Sequence, residues 1–320
     1  DTAAHIRNFI KDAYQNWGIK YVLLGGDYDP ANENSQIIPY RGFYGYVDSP
    51  PNFPEDDNIP SDLYYAAING SWNSDLDEWW GEPGEADLLA EVFVGRAPVD
   101  SEQELSNFVN KTLTYEKSNA PYLKKVLMAG QFLDVTLDIW GGDYKDEVKN
   151  GSSNHGYCTV GFPQYFDVET LYDRDSPNFN YSDPWHSGWS NSTIKEKINS
   201  SLHIINSAEH GNTWIVLKMK TYYNDVDDLN NTDYFFGYAG QGCYVGAFDN
   251  FNYWYNAYTI PDSILEELVT SEHGAFAYIG SSRSTFYKLD TDSSTQRLDR
   301  EFWDAVFGEG KLHLGEANQD

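Results

Sequence analysis

The chain has 320 residues and a formal charge of −29 at pH 7, from 21 basic and 50 acidic side chains. This excess of acid argues against nucleic acid and anionic membrane surfaces as partners, because phosphate binding needs clustered Lys and Arg. Hydrophobic residues form 40% of the chain and aromatic residues 16%, which is enough to fill a packed core. At this length we expect either one large α/β unit or two sub-domains.

The cysteine count and the hydropathy exclude further classes of protein. Cys158 and Cys243 are the only cysteines, so neither a disulfide framework nor a four-cysteine zinc site is possible. No run of 18 apolar residues occurs in the sequence, and we therefore expect no membrane span. The first residues have the pattern of a helix rather than of a signal peptide, from which we expect a processed or trimmed chain.

Helices and strands alternate in the first part of the chain. Apolar residues recur at helical spacing before Gly18, and a β-branched apolar run ends at Gly25. Residues 28–60 are rich in Pro, Asn, Asp and Gly and are predicted to form a loop. The regular elements predicted here are a helix over 3–16, a strand ending at Gly25, a strand over 90–99, a helix over 101–118 and a strand over 124–129.

The alternation continues in the second part, and it is typical of α/β proteins with mostly parallel sheets. A shift in composition at residues 118–121 predicts a boundary between two sub-domains, 1–119 and 120–320. The elements predicted after it are a helix over 190–201, a strand over 202–211, a strand over 232–243, a helix over 263–274 and a strand over 275–282.

Two of these strands end in residues with reactive side chains, His210 and Cys243. They lie 33 residues apart, which is enough for one crossover between neighbouring parallel strands. Open α/β sheets bind ligands at the carboxyl ends of their strands, so a Cys–His pair is predicted in which the imidazole protonates a leaving amine. The alternative is a buried apolar cysteine and a hydrogen-bonded histidine of no catalytic use. Cys158 is predicted to lie in the core.

A series of short segments recurs in a specific order over most of the chain, and each one alone is weakly diagnostic. In this order they resemble the gingipain-type cysteine peptidases, which have the caspase–haemoglobinase fold. The segments are YVLLGGD (21–27), the stretch from IPSDLYYAAING to GE (59–82), EVFVGRAPV (91–99), YE (115–116), WGGDYKDE (140–147), EHGN (209–212), GCYVGAFD (242–249) and AYIGSSR (277–283).

The resemblance implies a caspase-like α/β/α sandwich with two sub-domains side by side, the first of which lacks the elements that normally begin the family pattern. It implies His210 and Cys243 as the catalytic dyad, with the backbone N–H groups of Gly211 and Cys243 as the oxyanion hole. Many family members have a Glu that orients the histidine where this chain has Gln131. A Gln can hydrogen-bond an imidazole, but it cannot stabilise the cation by charge.

The resemblance also implies a substrate pocket. In arginine-specific gingipains the floor of the S1 pocket is an Asp, for which Asp143 is the best match and Asp146 the second. A buried carboxylate there would pair with Arg or Lys at P1. The alternative is that Asp143 caps the helix that follows it. Ser282, Phe286 and Tyr287 are expected to line the same pocket.

A loop of closely spaced carboxylates is the candidate metal site. Asp75, Asp77 and Glu82, with Asp62 upstream, offer the oxygen ligands that Ca²⁺ prefers. The loop lacks the full EF-hand pattern, and a solvated acidic loop is the alternative. Because gingipain-type peptidases often bind calcium, we expect a structural Ca²⁺ ion and no organic cofactor.

We therefore interpret the chain as a secreted, extracellular or cell-surface cysteine endopeptidase that cleaves proteins or peptides after Arg, with Lys second. A cleaved upstream segment of the same precursor is a further expected partner. Two alternatives stay open at this point. One is the same dyad with a P1 preference that is not basic, and the other is a calcium-stabilised binding module on an inactive scaffold.

Overall fold

The computed structural model describes residues 1–46, 56–252, 256–258 and 262–320. The chain divides into two compact units, 1–100 with 313–319, and 101–312 with 320. The predicted boundary at 119–120 lies after the helix over Glu102–Lys117, which the structure assigns to the second unit. This helix is tied to the second unit because its buried Lys111 donates to the carbonyl oxygens of Leu268 and His273 at 3.0 Å each.

The first unit is built on a parallel pair of strands, β1 and β4, in which Tyr21 pairs with Phe93 and Gly25 with Ala97. Residues 28–60 are not only loop, as was expected, since β2 and β3 form an antiparallel pair within this region; part of the region lies outside the described residues. The elements of the first hundred residues are α1 (Thr2–Trp17), β1 (Tyr21–Gly25), β2 (Arg41–Gly45), β3 (Asp56–Ser61), α2 (Leu63–Ala66) and β4 (Phe93–Ala97).

The second unit contains a five-stranded parallel sheet in the order β10-β5-β11-β14-β17. Its strands are β5 (Lys125–Gly130), β10 (Asp167–Tyr172), β11 (Ile204–Ala208), β14 (Phe235–Ala239) and β17 (Ala275–Gly280). Short pairs flank it: β6 (Phe132–Asp134) with β7 (Ile139–Trp140), β8 (Gly151–Ser152) with β9 (Thr159–Val160), β12 (Ile215–Val216) with β13 (Met219–Lys220), and β15 (Phe251–Asn252) with β16 (Ala257–Tyr258).

Helices cover both faces of this sheet. Successive strand residues point to opposite faces, so Ile205 packs in a core cluster with Ile194 and Ile264, whereas Asn206 bonds to Lys145 and Asp299. The α/β class with mostly parallel strands, predicted from the sequence, is confirmed. The helices are α3 (Glu102–Lys117), α4 (Gly141–Asn150), α5 (Asn191–Asn199), α6 (Ile264–Thr270), α7 (Ser294–Phe307) and, returning to the first unit, α8 (Leu314–Ala317).

In the described part of the chain, no helix is both long and apolar enough to cross a lipid bilayer.

Candidate active site

His210 and Cys243 follow neighbouring parallel strands, β11 and β14, and so lie at the same edge of the central sheet. The two segments meet at Gly211. A Cβ atom there would lie 3.1 Å from the carbonyl oxygen of Cys243 and 2.4 Å from the side chain of Val245. Any larger residue would push the segments apart, so this glycine permits their close approach.

The surroundings of the His210 ring fix its tautomer. Its Nε2 atom lies 2.9 Å from the carbonyl oxygen of Leu133. Because a carbonyl oxygen only accepts hydrogen bonds, Nε2 carries the proton, and Nδ1 of the neutral ring keeps a free lone pair. Burial lowers the pKa of His210, although the bond to Leu133 and the charge of Asp134 raise it. The imidazole is therefore neutral near pH 7 and able to accept a proton.

Thr285 holds the sulfur atom of Cys243. Its backbone N–H donates to Sγ at 3.3 Å, and its hydroxyl lies 3.3 Å from the same atom. The Thr285 hydroxyl also donates to the carbonyl oxygen of Gln241 at 3.2 Å. Cys243 is half-buried and so is open to a reactant, whereas Cys158 is exposed rather than in the core, where it was expected.

Two backbone donors near the pair have no acceptor among the residues that the structure describes. Over the described ranges, the N–H groups of Gly211 and Cys243 make no hydrogen bond, whereas those of His210 and Tyr244 are satisfied by Gln131 and Arg283. Free N–H groups beside a nucleophile are what an oxyanion hole requires.

Asp134 and Tyr287, the first of which the sequence interpretation missed, link the histidine side of the site to the cysteine side. The hydroxyl of Tyr287 donates to Oδ2 of Asp134 at 2.9 Å. Partial burial raises the pKa of Asp134, but this is outweighed by three hydrogen bonds and by the charge of His210, and the pKa falls. Asp134 directly follows Leu133, the partner of the His210 ring, and Tyr287 lies two residues after Thr285, the partner of Cys243.

Gln131 acts on the main chain of His210 and not on its ring. Its side-chain oxygen accepts from the backbone N–H of His210 at 3.2 Å. The ring partner is instead the carbonyl oxygen of Leu133. The nearby acid Glu209 turns away, and its carboxylate accepts from the N–H of Leu217.

A buried ionic network lies beneath the site. Lys145 forms an ion pair with Asp299, and both side chains are fully buried. Asn206 and Gln241 donate their side-chain amides to the same carboxylate at 2.8 Å each. Because Gln241 lies two residues before Cys243, this network connects α4, β11 and α7 to the cysteine segment. No periodicity in the sequence indicated that Lys145 would be buried.

Asp143 lies in the first turn of α4, which packs against the end of β11 through Gly141. Its carboxylate is not the buried, unpaired group that was expected. The side chain is 49% exposed and forms an ion pair with Arg174, which also pairs with Asp146. The alternative, in which Asp143 caps this helix, is wrong, because Trp140 occupies the N-cap position and no side chain caps the helix.

The other expected pocket residues lie together after β17, at the edge of the sheet that carries Cys243. The ring of Tyr287 is part-exposed, and the carbonyl oxygen of Phe286 accepts from the hydroxyls of Ser293 and Thr295 at 2.6 Å each. Ser282 lies in the same segment and accepts from Arg283 through its carbonyl oxygen.

The acidic loop of the first unit brings three of the four expected metal ligands together. Ligand oxygens of Asp75, Asp77 and Glu82 lie within 4.8 Å of one another. Partial desolvation, and then the charges of Asp77 and Asp75, raise the pKa of Glu82. A hard cation bound among these oxygens would offset the repulsion between the carboxylates. Asp62 lies outside this cluster, because Arg96 binds its carboxylate through two bonds of 2.7 and 2.8 Å.

Comparison with known sequences gives a match over the whole chain. The sequence model of peptidase family C25 matches residues 1–320. Among curated proteins, Lys-gingipain W83 of Porphyromonas gingivalis is 27% identical over 237 residues, and a second Lys-gingipain of that species is 26% identical over 238. Each alignment covers 72% of this chain but 11% of the relative, so the chain spans only a small part of these proteins.

Solved structures show the same fold. The crystal structure of the Arg-specific cysteine proteinase gingipain R has a TM-score of 0.59 and 18% identity, and the match covers 100% of this chain and 66% of that one. The complex of the pro- and mature domains of RgpB from Porphyromonas gingivalis has a TM-score of 0.61 and 18% identity, with coverage of 99% and 63%. The predicted gingipain-like, caspase-type α/β/α fold is thereby confirmed.

Proposed function

We propose that this chain, which belongs to peptidase family C25 and is a cysteine-type endopeptidase, cuts its substrates with Cys243 as the nucleophile and His210 as the general acid–base group. The observation that carries this assignment is the meeting of the two segments at Gly211, at the carboxyl ends of neighbouring strands. Sites of ligand binding in open α/β sheets lie at this edge.

The proposed chemistry uses the free lone pair of His210 and the thiol of Cys243. Nδ1 of His210 takes the thiol proton, Sγ of Cys243 forms a bond to the carbonyl carbon, and the oxygen becomes negative. Collapse of this tetrahedral species breaks the carbon–nitrogen bond, and the imidazolium gives its proton to the leaving amine. Water, deprotonated by the same imidazole, then hydrolyses the thioester and restores the thiol.

The two free N–H groups are assigned to the oxyanion hole. Gly211 and Cys243 would donate to the substrate oxygen as it gains charge, and they cost no reorganisation because no acceptor in the described chain competes for them. Thr285 would hold the sulfur in place during this step.

For specificity we propose cleavage after a basic residue. The support is the net charge of −29, which draws cations toward the protein, together with the specificity of the relatives, which are Lys-gingipains and an Arg-specific cysteine proteinase. Asp143 is the proposed acceptor. A substrate cation would have to share it with Arg174 or displace that side chain. Ser282, Phe286 and Tyr287 would line the pocket.

Three further assignments are proposals of the same kind. Calcium is proposed at the cluster of Asp75, Asp77 and Glu82. The site of action is proposed to be outside the cell or on its surface, on protein or peptide substrates.

An upstream segment of a precursor is proposed to be removed by the enzyme itself. In that case a purified precursor carrying Cys243→Ala should stay uncut, and cleavage of this variant would contradict the proposal.

A panel of fluorogenic peptides that differ only at P1 tests the function. The chain should cleave the Arg and Lys members, Cys243→Ala should cleave none, and Cys158→Ala should match the wild type. Cleavage after Leu or Ala alone would contradict the basic preference while leaving the dyad in place. Binding without cleavage by the wild type would favour the binding module.

A further inference from the structure

A cluster of aromatic rings lies directly beside His210. The ring of Trp185 meets the imidazole edge to face, with centroids 4.7 Å apart and planes at 78°. Behind it the rings contact one another at centroid distances of 4.6 to 6.1 Å. We call this cluster the aromatic platform, and its members are Phe132, Trp140, Phe179, Tyr181 and Trp185.

The platform has a buried base and an exposed surface. Phe132 is 1% exposed, whereas Trp185 is 49% and Tyr181 62% exposed. Trp185 and Tyr181 therefore still present much of their apolar ring area to water. An apolar group that covers these rings would remove this area from water, which is energetically favourable.

Hydrogen bonds hold the loop that presents the platform. Asp173 accepts from the N–H of Trp189 at 3.0 Å, and Lys218 donates to the carbonyl oxygens of Ser187 and Trp189 at 2.9 Å each. Within the loop, the N–H of Asn180 donates to the hydroxyl of Ser187 at 2.9 Å. The surface is thus preformed, which lowers the entropic cost of binding.

The position of the platform indicates which half of a substrate would reach it. Cys243 is held by Thr285 and lies on the side of Tyr287, whereas Trp185 contacts His210. The imidazole must give its proton to the leaving amine, so the flank of His210 faces the residue that follows the scissile bond.

We propose that the aromatic platform is a subsite for the P1′ residue of the substrate and that it prefers a large apolar, above all aromatic, side chain. The inference rests on the proposed peptidase activity and extends it to the leaving-group side. Trp185 and Tyr181 would stack on the incoming ring, and Phe132 would support them from below.

The test uses peptides that share the best P1 residue and differ only at P1′, as Phe, Leu or Gly. For the wild type, kcat/KM for the Phe peptide should exceed that for the Gly peptide by roughly 10- to 100-fold, with Leu between them. Tyr181→Ala and Trp185→Ala should each reduce this ratio to about threefold or less, whereas Trp185→Phe, which keeps a ring against His210, should retain most of it.

Tyr165→Ala is the matched control. Tyr165 is also 62% exposed and contacts an aromatic neighbour, but it precedes β10 and so lies toward the amino end of the sheet. Its ratio should equal that of the wild type. Equal cleavage of all three peptides, or a ratio unchanged by Tyr181→Ala, would overturn the subsite and leave the peptidase assignment intact. Failure to cleave any peptide would overturn both.

Discussion

The contact between Asp134 and Tyr287 has a role that neither residue would have alone. A continuous path of hydrogen bonds and main-chain links crosses the site. It runs from His210 through Leu133, Asp134, Tyr287 and Thr285 to Cys243. Asp134 also places a negative charge near the imidazole, which Gln131 cannot do. We infer that this hydrogen bond, between the Tyr287 hydroxyl and the Asp134 carboxylate, fixes the position of the imidazole relative to the thiol.

Tyr287→Phe therefore tests a positioning role. Loss of one hydrogen bond to a carboxylate should lower kcat by about tenfold, or ~1.4 kcal/mol, with little change in KM. Asp134→Asn should lower kcat similarly and also change the pH profile. The charge of Asp134 raises the pKa of His210, so its removal lowers that pKa, and the acidic limb of kcat/KM should move to lower pH. An unmoved limb in Asp134→Asn, with kcat unchanged in Tyr287→Phe, would mean that the contact is only structural.

At the residue scale the sequence was informative where chemistry coincides with a strand end. His210 and Cys243 stand out because each follows an apolar run and adjoins a glycine. Asp134 and Thr285 do not, because they reach the site through contacts across 153 and 42 positions in sequence. The one local feature of Asp134 is that it precedes a turn. Its carboxylate accepts hydrogen bonds from the N–H groups of Thr136 and Leu137 in that turn, at 2.7 and 2.8 Å.

At the scale of elements, the ion pair of Lys145 and Asp299 joins two helices through the central strand. Burial lowers the pKa of Lys145, against the opposing charge of Asp299. A buried charge that loses its partner keeps its desolvation cost, so removing one member is far more damaging than replacing both.

Asp299→Asn should accordingly reduce the free energy of unfolding by about 3–5 kcal/mol in urea denaturation. Arg297→Gln is the control on the same helix, since its ion pair with Asp292 is at the surface, and it should leave the unfolding curve nearly unchanged. A loss no larger in Asp299→Asn than in Arg297→Gln would show that the pair does not hold α4 and α7 to the sheet.

Elements that are buried on both faces were predictable, and others were not. All residues of β11 and β14 are buried; β14 appears in the sequence as an apolar run, and β11 begins with two isoleucines. In contrast, β10 is an edge strand of the sheet, and its residues are exposed or half-buried except for the buried Tyr172 at its end, within a stretch of polar composition. The pair of β2 and β3 was missed because its Gly, Pro and Asn residues are typical of turns.

At the scale of the whole molecule, the acidity of the chain bears on what it binds. The specificity proposal depends on Asp143 being available to a substrate, whereas the structure pairs it with Arg174. Asp146 lies on the same helix as Asp143 and also pairs with Arg174, so it is the matched comparison.

Asp143→Asn should reduce kcat/KM for P1 Arg peptides roughly 10- to 100-fold, because the substrate cation loses a charged partner on being desolvated. Arg174→Gln should lower KM for the same peptides by removing a competitor. If Asp146→Asn has the effect instead, Asp146 is the S1 acid. If all three variants keep the wild-type P1 preference, the selectivity has another source and Asp143 is structural.

Calcium at the acidic loop would stabilise the folded chain by mass action, by about 2.7 kcal/mol at a hundredfold excess over Kd. EDTA should therefore lower the melting temperature by a few degrees, and added Ca²⁺ should restore it. The double variant Asp75→Asn with Asp77→Asn should not respond, whereas Asp228→Asn, in another acidic segment, should respond as the wild type does. Superimposable melts with EDTA and with Ca²⁺ would leave a solvated acidic loop.

Whether Cys243 is the nucleophile activated by His210 can be measured with a peptidyl chloromethyl ketone that has Arg at P1, followed by mass spectrometry of the labelled protein. Both thiols are free, and Cys158 is the more exposed, so simple accessibility would favour Cys158. We expect one label per chain, on Cys243, complete loss of peptidase activity and much slower labelling in His210→Ala. A label on Cys158 with Cys243 unmodified, or full activity after complete labelling of Cys243, would contradict it.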